Sequence, residues 1–518
     1  MSWALASPVG SSPDDDFHLA SIWCAGGDVA GECQTVADAS VREVPRGLST
    51  VTCYAFAPAQ SAACQDLKSG QGLIATDRGN FTGLYPPIFY STMHVFATTN
   101  IEASALTMRL VNIVLLVGLV TALCALLPTK RRLSLVWGLA CTVVPLGAFM
   151  ITSNNPSSWA MISAATLWVA LVGYFESSGW KKILLGGIAL ISTIMGGGAR
   201  ADSAAYAMVA VIVACVLTIT WSRRWWLSVV LPIGVFALSA ALYLSAGQSS
   251  SAMSGMGGGA HLAAPANWQS LLLTNLLEVP SLWVGSFGLW ALGWLDTSLP
   301  AIVWVGSFGV FAALVFAGLN MPSIRKSLAA GVILGAMWVV PTYVLQQSQA
   351  KVGAEVQPRY ILPLIIMLAG VALFSVGRAR LRLSMTQVLA LISILSVANG
   401  VALHFNMRRY ISGSEIVSWN LNLYREWWWI PMTPMVVWLV GTVTFLLFLL
   451  AAAWLYLRPL VSPAESMPRD FQRSNHREPA AGPAGVFPER PAPDALTSKN
   501  LVKADEANDA DGSPGGKF

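Results

Sequence analysis

Apolar blocks of about 20 residues recur along the chain, separated by short polar loops, and this pattern limits the possible folds most strongly. A helix needs about 20 apolar residues to cross roughly 30 Å of hydrocarbon. Hydrophobic residues make up 55% of the 518 residues and charged residues only 11%, whereas a soluble protein carries about 25% charged residues. We therefore expect an all-α polytopic membrane protein.

Eleven complete spans are predicted from these blocks. They lie at roughly residues 105–128, 133–153, 159–176, 181–198, 203–221, 225–245, 300–319, 327–347, 361–377, 384–404 and 431–456. Residues 1–9 are too short to cross a bilayer, and we interpret them as the remnant of a truncated first span that begins upstream. Two bundles follow, of six helices over 105–245 and of five helices over 300–456.

Three other segments complete the predicted organisation. Residues 10–104 form a large polar loop. Residues 246–299 are expected to form a second outer loop with a re-entrant or interfacial helix pair, because Pro280 and Gly285 interrupt its apolar part. Residues 457–518 are rich in Pro, Ala and charged residues, so we expect a disordered tail there.

Basic residues orient the predicted spans. They occupy alternate loops, at residues 130–132, 181–182, 223–224, 325–326 and 378–382. Such loops face the cytoplasm, so segment 10–104 is expected outside and the C-terminus inside. Cysteines give the same orientation, because four of the seven lie in segment 10–104 and disulfides require an oxidising compartment. Four cysteines allow three pairings, of which we favour Cys24 with Cys33 and Cys53 with Cys64.

The acidic motif, residues 13–18 with the sequence Pro-Asp-Asp-Asp-Phe-His, is the leading candidate for a chemical centre. In one interpretation Ser12 and the acids only cap a helix, where the helix dipole favours negative charge. In the other, Asp14 or Asp15 is a general base whose pKa is raised by its acidic neighbours, with His18 one helical turn away. Three outward acids can also hold a divalent cation, although no cofactor is certain.

Other ionisable side chains fall near the outer ends of the predicted spans. The whole set is Asp14, Asp15, Asp16, His18, Arg109, Arg200, Asp202, Asp296 and Arg359. Arg359 and Tyr360 are either an interfacial anchor or a clamp for phosphate, which guanidinium binds bidentately. Arg200 and Asp202 form an internal ion pair or contact a lipid phosphate. Asp296 caps a helix or binds substrate, and Arg109 snorkels towards the interface.

Several short motifs, taken together, resemble a bacterial multispan family, domain-of-unknown-function family 2142, from residue 1 to about 456. The acidic motif resembles that family's Pro-Asp-Glu-x-x-His sequence, with Asp15 in the place of Glu. Further matches are Tyr85-Pro86-Pro87, Asn155-Pro156, Gly293-Trp294-Leu295-Asp296 before Pro300, and Arg359-Tyr360 before Pro363. Pro358 stands where Gly often precedes the arginine in that family.

This resemblance implies a fold and an activity. The family looks like the GT-C membrane glycosyltransferases, which take sugars from polyprenyl-phosphate donors at the outer face of the bacterial cytoplasmic membrane. An acid of their first outer loop serves as base or metal ligand, and here that role would fall to Asp14 and Asp15. The substrate contacts would then be His18, Arg200, Asp202, Asp296, Arg359 and Tyr360.

Alternatives to this enzyme remain open. One is a transporter or flippase of a lipid-linked glycan, and another is a non-catalytic scaffold for envelope enzymes. The partners expected in the first two cases are membrane lipid, a polyprenyl-phosphate sugar donor, and a glycan or lipid acceptor. No nucleic-acid partner is expected, because the net charge of +5 comes from basic residues scattered through short loops.

Overall fold

Long apolar helices dominate the computed structural model, which describes residues 1–68, 72–254, 267–320, 323–376, 381 and 383–457. Within these residues the helices are α1 Ser2–Leu5, α2 Asp15–Cys24, α3 Ile88–His94, α4 Ile101–Leu126, α5 Thr129–Ala140, α6 Leu146–Ile151, α7 Ser157–Glu176, α8 Trp180–Ala199, α9 Ala201–Thr218, α10 Arg223–Ser228, α11 Val230–Ser245, α12 Gly247–Ser254, α13 Trp268–Val284, α14 Ala301–Leu319, α15 Ile324–Gln347, α16 Pro358–Ala372, α17 Met385–Ile411 and α18 Pro434–Ala452. The prediction of an all-α polytopic membrane protein is confirmed.

Nine helical stretches in the described part of the chain are long and apolar enough to cross a membrane. They are α4, α7, α8, α9, α10 together with α11, α14, α15, α17, and α18 with the π-helical turn that follows it. Eleven complete spans were predicted, so two of them have a different form in the structure.

The predicted span at 133–153 is not one continuous helix. The structure divides it into α5 and α6, and Pro145 stands at the break as the N-cap of α6. Proline has no backbone N–H and its ring clashes with the preceding turn, so it ends a helix. The predicted span at 361–377 is the shorter helix α16 of 15 residues, and the arginines at 378, 380 and 382 lie outside the described residues.

The segment predicted as a re-entrant helix pair, residues 246–299, contains helices α12 and α13. Helix α13 carries Pro280 in its interior and continues as a π-helical turn over Gly285–Leu289. The glycine-rich part at 255–266 lies outside the described residues. The same is true of the predicted disordered tail from residue 458 onwards.

A small antiparallel sheet and two disulfides lie in segment 10–104. The strands β1 Gln34–Thr35, β2 Arg42–Pro45 and β3 Leu73–Thr76 pair in sequence order, with Val44 opposite Ile74. Cys24 is bonded to Cys33 and Cys53 to Cys64, which are the nearest-neighbour pairs. Two 3₁₀ turns, Arg46–Thr50 and Ala62–Cys64, complete the segment.

Helices α7 and α16 form the centre of the bundle. A helix that is apolar all round is normally buried. In α7, 89% of the most apolar 18-residue stretch is buried, whereas in α4 only 22% of the corresponding stretch is buried. Nearly every residue of α16 is buried as well. Close approach of α5 to α16 depends on glycine, since a Cβ atom on Gly138 would lie 2.8 Å from the Cα of Gly370. The N-terminus of α16 therefore brings Arg359 into the interior.

Candidate functional site

The acidic motif begins with a backbone turn that is held from two sides. Asp14 has φ 62° and is the N-cap of α2; the left-handed region is uncommon for residues other than glycine but is tolerated by aspartate. The carbonyl of Pro13 accepts hydrogen bonds from Asn155 Nδ2 at 2.8 Å and from Arg359 Nη1 at 3.1 Å. Unusual backbone conformations that the surroundings hold in place concentrate at functional sites, so this turn supports the acidic motif as a candidate functional site.

The three aspartates of the motif differ in their closest partners. Asp14 Oδ2 lies 2.6 Å from Arg359 Nη2, and Asp16 Oδ2 lies 2.9 Å from Nε of Arg78, which also lies within 3.8 Å of Asp14 through its Nη2. Asp15 is completely buried, and it accepts hydrogen bonds from the backbone N–H and the hydroxyl of Ser12. In the described part of the chain, no group of three or more His, Cys, Asp or Glu side chains is arranged to hold a metal ion.

The surroundings of the motif shift the pKa values of its members in different directions. Burial alone would raise the pKa of Asp14, but the charges of Arg359 and other nearby cations outweigh it and hold that pKa below its ordinary value. Burial raises the pKa of Asp15 to about 6. Burial also lowers the pKa of His18 to about 3. At neutral pH Asp14 is therefore an ionised carboxylate with its side chain 38% exposed, and His18 is a neutral imidazole.

His18 lies in a tyrosine-lined niche behind Asp14. Its Nδ1 lies 2.9 Å from the hydroxyl of Tyr90, and its ring meets the Tyr85 ring edge-on with 5.3 Å between the centroids. The other ring nitrogen, Nε2, is buried without a hydrogen-bond partner among the described residues. This arrangement fixes the orientation of the imidazole at the end of the motif.

Two arginines flank Tyr360 beside the motif. Arg359 Nη2 donates to the Tyr360 hydroxyl at 3.0 Å, and the Arg200 guanidinium lies 4.7 Å from the centre of the Tyr360 ring. Asp202 accepts two hydrogen bonds from Arg200, at 2.9 and 2.8 Å. Both guanidiniums are almost fully buried, so two fixed positive charges lie on either side of Tyr360, Arg359 paired with Asp14 and Arg200 paired with Asp202.

A cavity of about 570 Å³ extends between the helices from Arg200 and Tyr360, while Arg359 lies behind Tyr360 and does not line it. Its polar end is lined by Tyr85, Arg200, Asp202, Gln248, Glu355 and Tyr360, and its remaining walls include Tyr206, Val339, Val340, Pro341, Val344 and Ile361. Val339 is 65% exposed and Tyr343, another lining residue, is 46% exposed. Because both belong to a helix long enough to cross the membrane, the cavity opens sideways on the bundle surface.

Asp296 lies apart from this cavity and has a different partner. Its carboxylate lies 2.8 Å from Arg409 Nη2, and both side chains are at most 5% exposed. Arg409 also donates to the backbone carbonyls of Tyr54, Ala57 and Gln60. The pair therefore ties α17 to segment 10–104, and this contact, rather than the cavity, is where the structure places Asp296.

Sequence reasoning missed Arg78, Tyr90 and Arg409. Arg409 carried a usable signal, since a basic residue in a loop that the charge pattern places outside is unexpected. Arg109 was expected to snorkel, and this is wrong because the side chain is 1% exposed. Its guanidinium donates to Asn154 and to the carbonyls of Ala4, Ser7 and Pro8, which holds the backbone that leads into the acidic motif.

The fold and the site together define a polytopic helical membrane protein with a charged, partly buried site at one end of its bundle. The model of a family described as predicted membrane protein (DUF2142) matches residues 1–368. Since this is most of the 518 residues, the chain belongs to that family. No curated protein and no solved structure matches the chain.

Proposed function

We propose that the protein is a glycosyltransferase of the bacterial cytoplasmic membrane. It would transfer a sugar from a polyprenyl-phosphate donor to an envelope glycan or lipid acceptor at the outer face, with the C-terminus in the cytoplasm. The observation that supports this most is the sideways-opening cavity of about 570 Å³, which joins apolar walls to a polar end with Arg200 and Tyr360. A lipid phosphate has the matching distribution of apolar chain and anionic head.

The two arginines would hold the phosphate of the donor. Guanidinium groups bind phosphate through charge-assisted, often bidentate hydrogen bonds, and Arg359 and Arg200 both pack against Tyr360. When the bond between the sugar and the phosphate breaks, its electron pair stays on the departing phosphate. Fixed positive charges in a site with little water stabilise such developing charge strongly.

Asp14 would act as the base that activates the acceptor. The acceptor hydroxyl loses its proton to Asp14 while its oxygen forms a bond to the anomeric carbon of the sugar. Asp14 is the accessible carboxylate of the motif, whereas Asp15 is completely buried and would position the turn. A donor phosphate competes with Asp14 for Arg359, and loss of that cation raises the pKa of Asp14 and strengthens it as a base.

A second candidate, transport of a lipid-linked glycan, is favoured by the broken helices. Discontinuous helices are common around transporter sites, and here α5 and α6 break at Pro145 while α13 contains Pro280. Transport moves the substrate without breaking the bond between sugar and phosphate. Product formation therefore separates the two candidates.

Transfer can be tested in proteoliposomes that contain the purified protein, a set of radiolabelled undecaprenyl-phosphate sugars and envelope acceptors. Asp14→Asn should lower the rate of polyprenyl phosphate release by about 10²–10⁴-fold, the usual contribution of a general base. Asp16→Asn is the matched control, because its partner Arg78 is 52% exposed and exposed pairs contribute little. Wild-type release by Asp14→Asn would refute the proposed mechanism, and movement of the sugar without release would favour transport.

A further inference from the structure

Four basic side chains from the first turns of three helices, α5, α10 and α15, line one cavity of about 390 Å³ at the other end of the bundle. They are Lys130, Arg131, Arg224 and Arg325. Helix α7 shows that this cavity and the arginine site lie at opposite ends, since Ser157 at its start contacts Arg200 and Glu176 at its end binds Arg131. The 20 residues of α7 span about 30 Å, which is the thickness of the hydrocarbon core.

Charge within this basic cavity is poorly balanced. Among the described residues that line it, Glu176 is the only acid, and it accepts two hydrogen bonds from the buried Arg131, at 2.9 and 2.5 Å. The other three cations face no carboxylate in the described lining. Four hydroxyl groups, those of Thr218, Thr220, Ser222 and Ser228, also line the cavity. The hydroxyls of Thr218 and Ser228 already donate to the carbonyls of Ala214 and Arg224, so the unbalanced cations, in a polar lining, are what make this cavity a site for an oxyanion.

Aromatic side chains place the basic cavity at the level of the lipid headgroups. Trp225 lines the cavity and stacks on Phe175 with 5.6 Å between the ring centroids. Close by in the chain, Trp221 is 88% exposed and Trp226 is 54% exposed. Exposed tryptophans of membrane proteins concentrate at the boundary between hydrocarbon and water, and basic pockets between helices at that depth bind anionic headgroups.

We propose that the basic cavity is a binding site for a phosphate group, supplied at this depth by the headgroup of an anionic phospholipid. The phosphate would contact Lys130, Arg224 and Arg325, while Arg131 stays paired with Glu176. The cavity takes its ligand from the cytoplasmic leaflet, whose anionic lipids attract basic segments. This site does not depend on the glycosyltransferase proposal, because it lies at the opposite end of the bundle and involves no transfer step.

Native mass spectrometry of the full-length protein in detergent tests this site. The probes are phosphatidylglycerol and, as the neutral lipid, phosphatidylcholine. The double variant Lys130→Gln/Arg325→Gln should weaken phosphatidylglycerol binding about tenfold or more, since each basic residue near a membrane surface contributes appreciably to anionic-lipid binding. Phosphatidylcholine binding should not change. Arg131 is left intact, because losing the partner of Glu176 would disturb folding.

The control variant Arg46→Gln/Lys351→Gln removes two exposed cations from the other end of the bundle and should bind phosphatidylglycerol as the wild type does. Inorganic phosphate is a further probe, and displacement of the lipid by millimolar phosphate would show that the phosphate group itself is recognised. Equal phosphatidylglycerol binding by the wild type and by Lys130→Gln/Arg325→Gln would overturn the proposal. A loss of binding as large in the control variant would overturn it too, because the contribution would then be non-specific.

Discussion

Replacing Arg409 with methionine should cost the protein much of its stability. The Arg409 and Asp296 side chains are 2% and 5% exposed and lie 2.8 Å apart. Removing one partner of a buried ion pair costs about 3–5 kcal/mol, because the other charge is left buried and unpaired. Three backbone carbonyls of segment 10–104 would lose the same donor, so we expect the upper part of that range.

The free energy of unfolding can be measured by titrating the detergent-solubilised protein with sodium dodecyl sulfate and following its circular dichroism. A cycle of Arg409→Met, Asp296→Asn and the double variant isolates the pair, since residues in direct contact show coupling energies of about 0.5–3 kcal/mol. The double variant should be less destabilised than the sum of the single variants. Additive losses would contradict a structural role for the pair. A stable Asp296→Asn protein that no longer binds donor would contradict it as well, and would restore Asp296 as a substrate contact.

Three further predictions concern the acidic motif and its supports. Burial raises the pKa of Asp15 to about 6. The unfolding free energy of the wild type minus that of Asp15→Asn should therefore be largest below about pH 4. It should then fall by on the order of 3 kcal/mol as the pH rises through 6; a constant difference in unfolding free energy would contradict this. Removing the disulfide between Cys53 and Cys64, which are 11 residues apart, should destabilise the protein by about 3 kcal/mol. In the same titration, reductant should then cause no further loss of unfolding free energy through the loop between residues 53 and 64. Arg359→Lys should reduce transfer about 10–100-fold, because one ammonium cannot replace charge-assisted bonds worth about 1.5–3 kcal/mol each. Unchanged transfer kinetics would show that Arg359 is only an anchor.

Periodicity and charge predicted much of the architecture, because they depend on residues close together in the chain. Apolar blocks predicted the long helices, and pairing each cysteine of segment 10–104 with its nearest neighbour in the chain predicted the two disulfides that the structure contains. The break at Pro145 was missed because hydropathy averages over a window and does not register one absent N–H. The same averaging predicted a membrane span at 361–377, where the structure has the 15-residue helix α16. The residues of α16 are apolar because the helix is buried among others.

The sequence could not predict which residue each aspartate of the acidic motif contacts. Asp14, Asp15 and Asp16 are adjacent and chemically alike, yet their closest partners are Arg359, Ser12 and Arg78 respectively. Which of them is buried depends on the turn at Pro13 and on the helices packed around it. Arg359 lies 345 residues from Asp14 in the chain, so only the tertiary fold brings the two together.

Photolabelling with a polyprenyl phosphate that carries a photoreactive group near its head tests the central claim most directly. We predict labelled peptides from α9, α15 and the start of α16, which line the cavity, and competition by unlabelled polyprenyl phosphate. Arg200→Gln/Arg359→Gln should remove the label, whereas Arg46→Gln should retain it. Labelling that falls outside these helices, or that survives in the Arg200→Gln/Arg359→Gln protein, would contradict a donor site in this cavity.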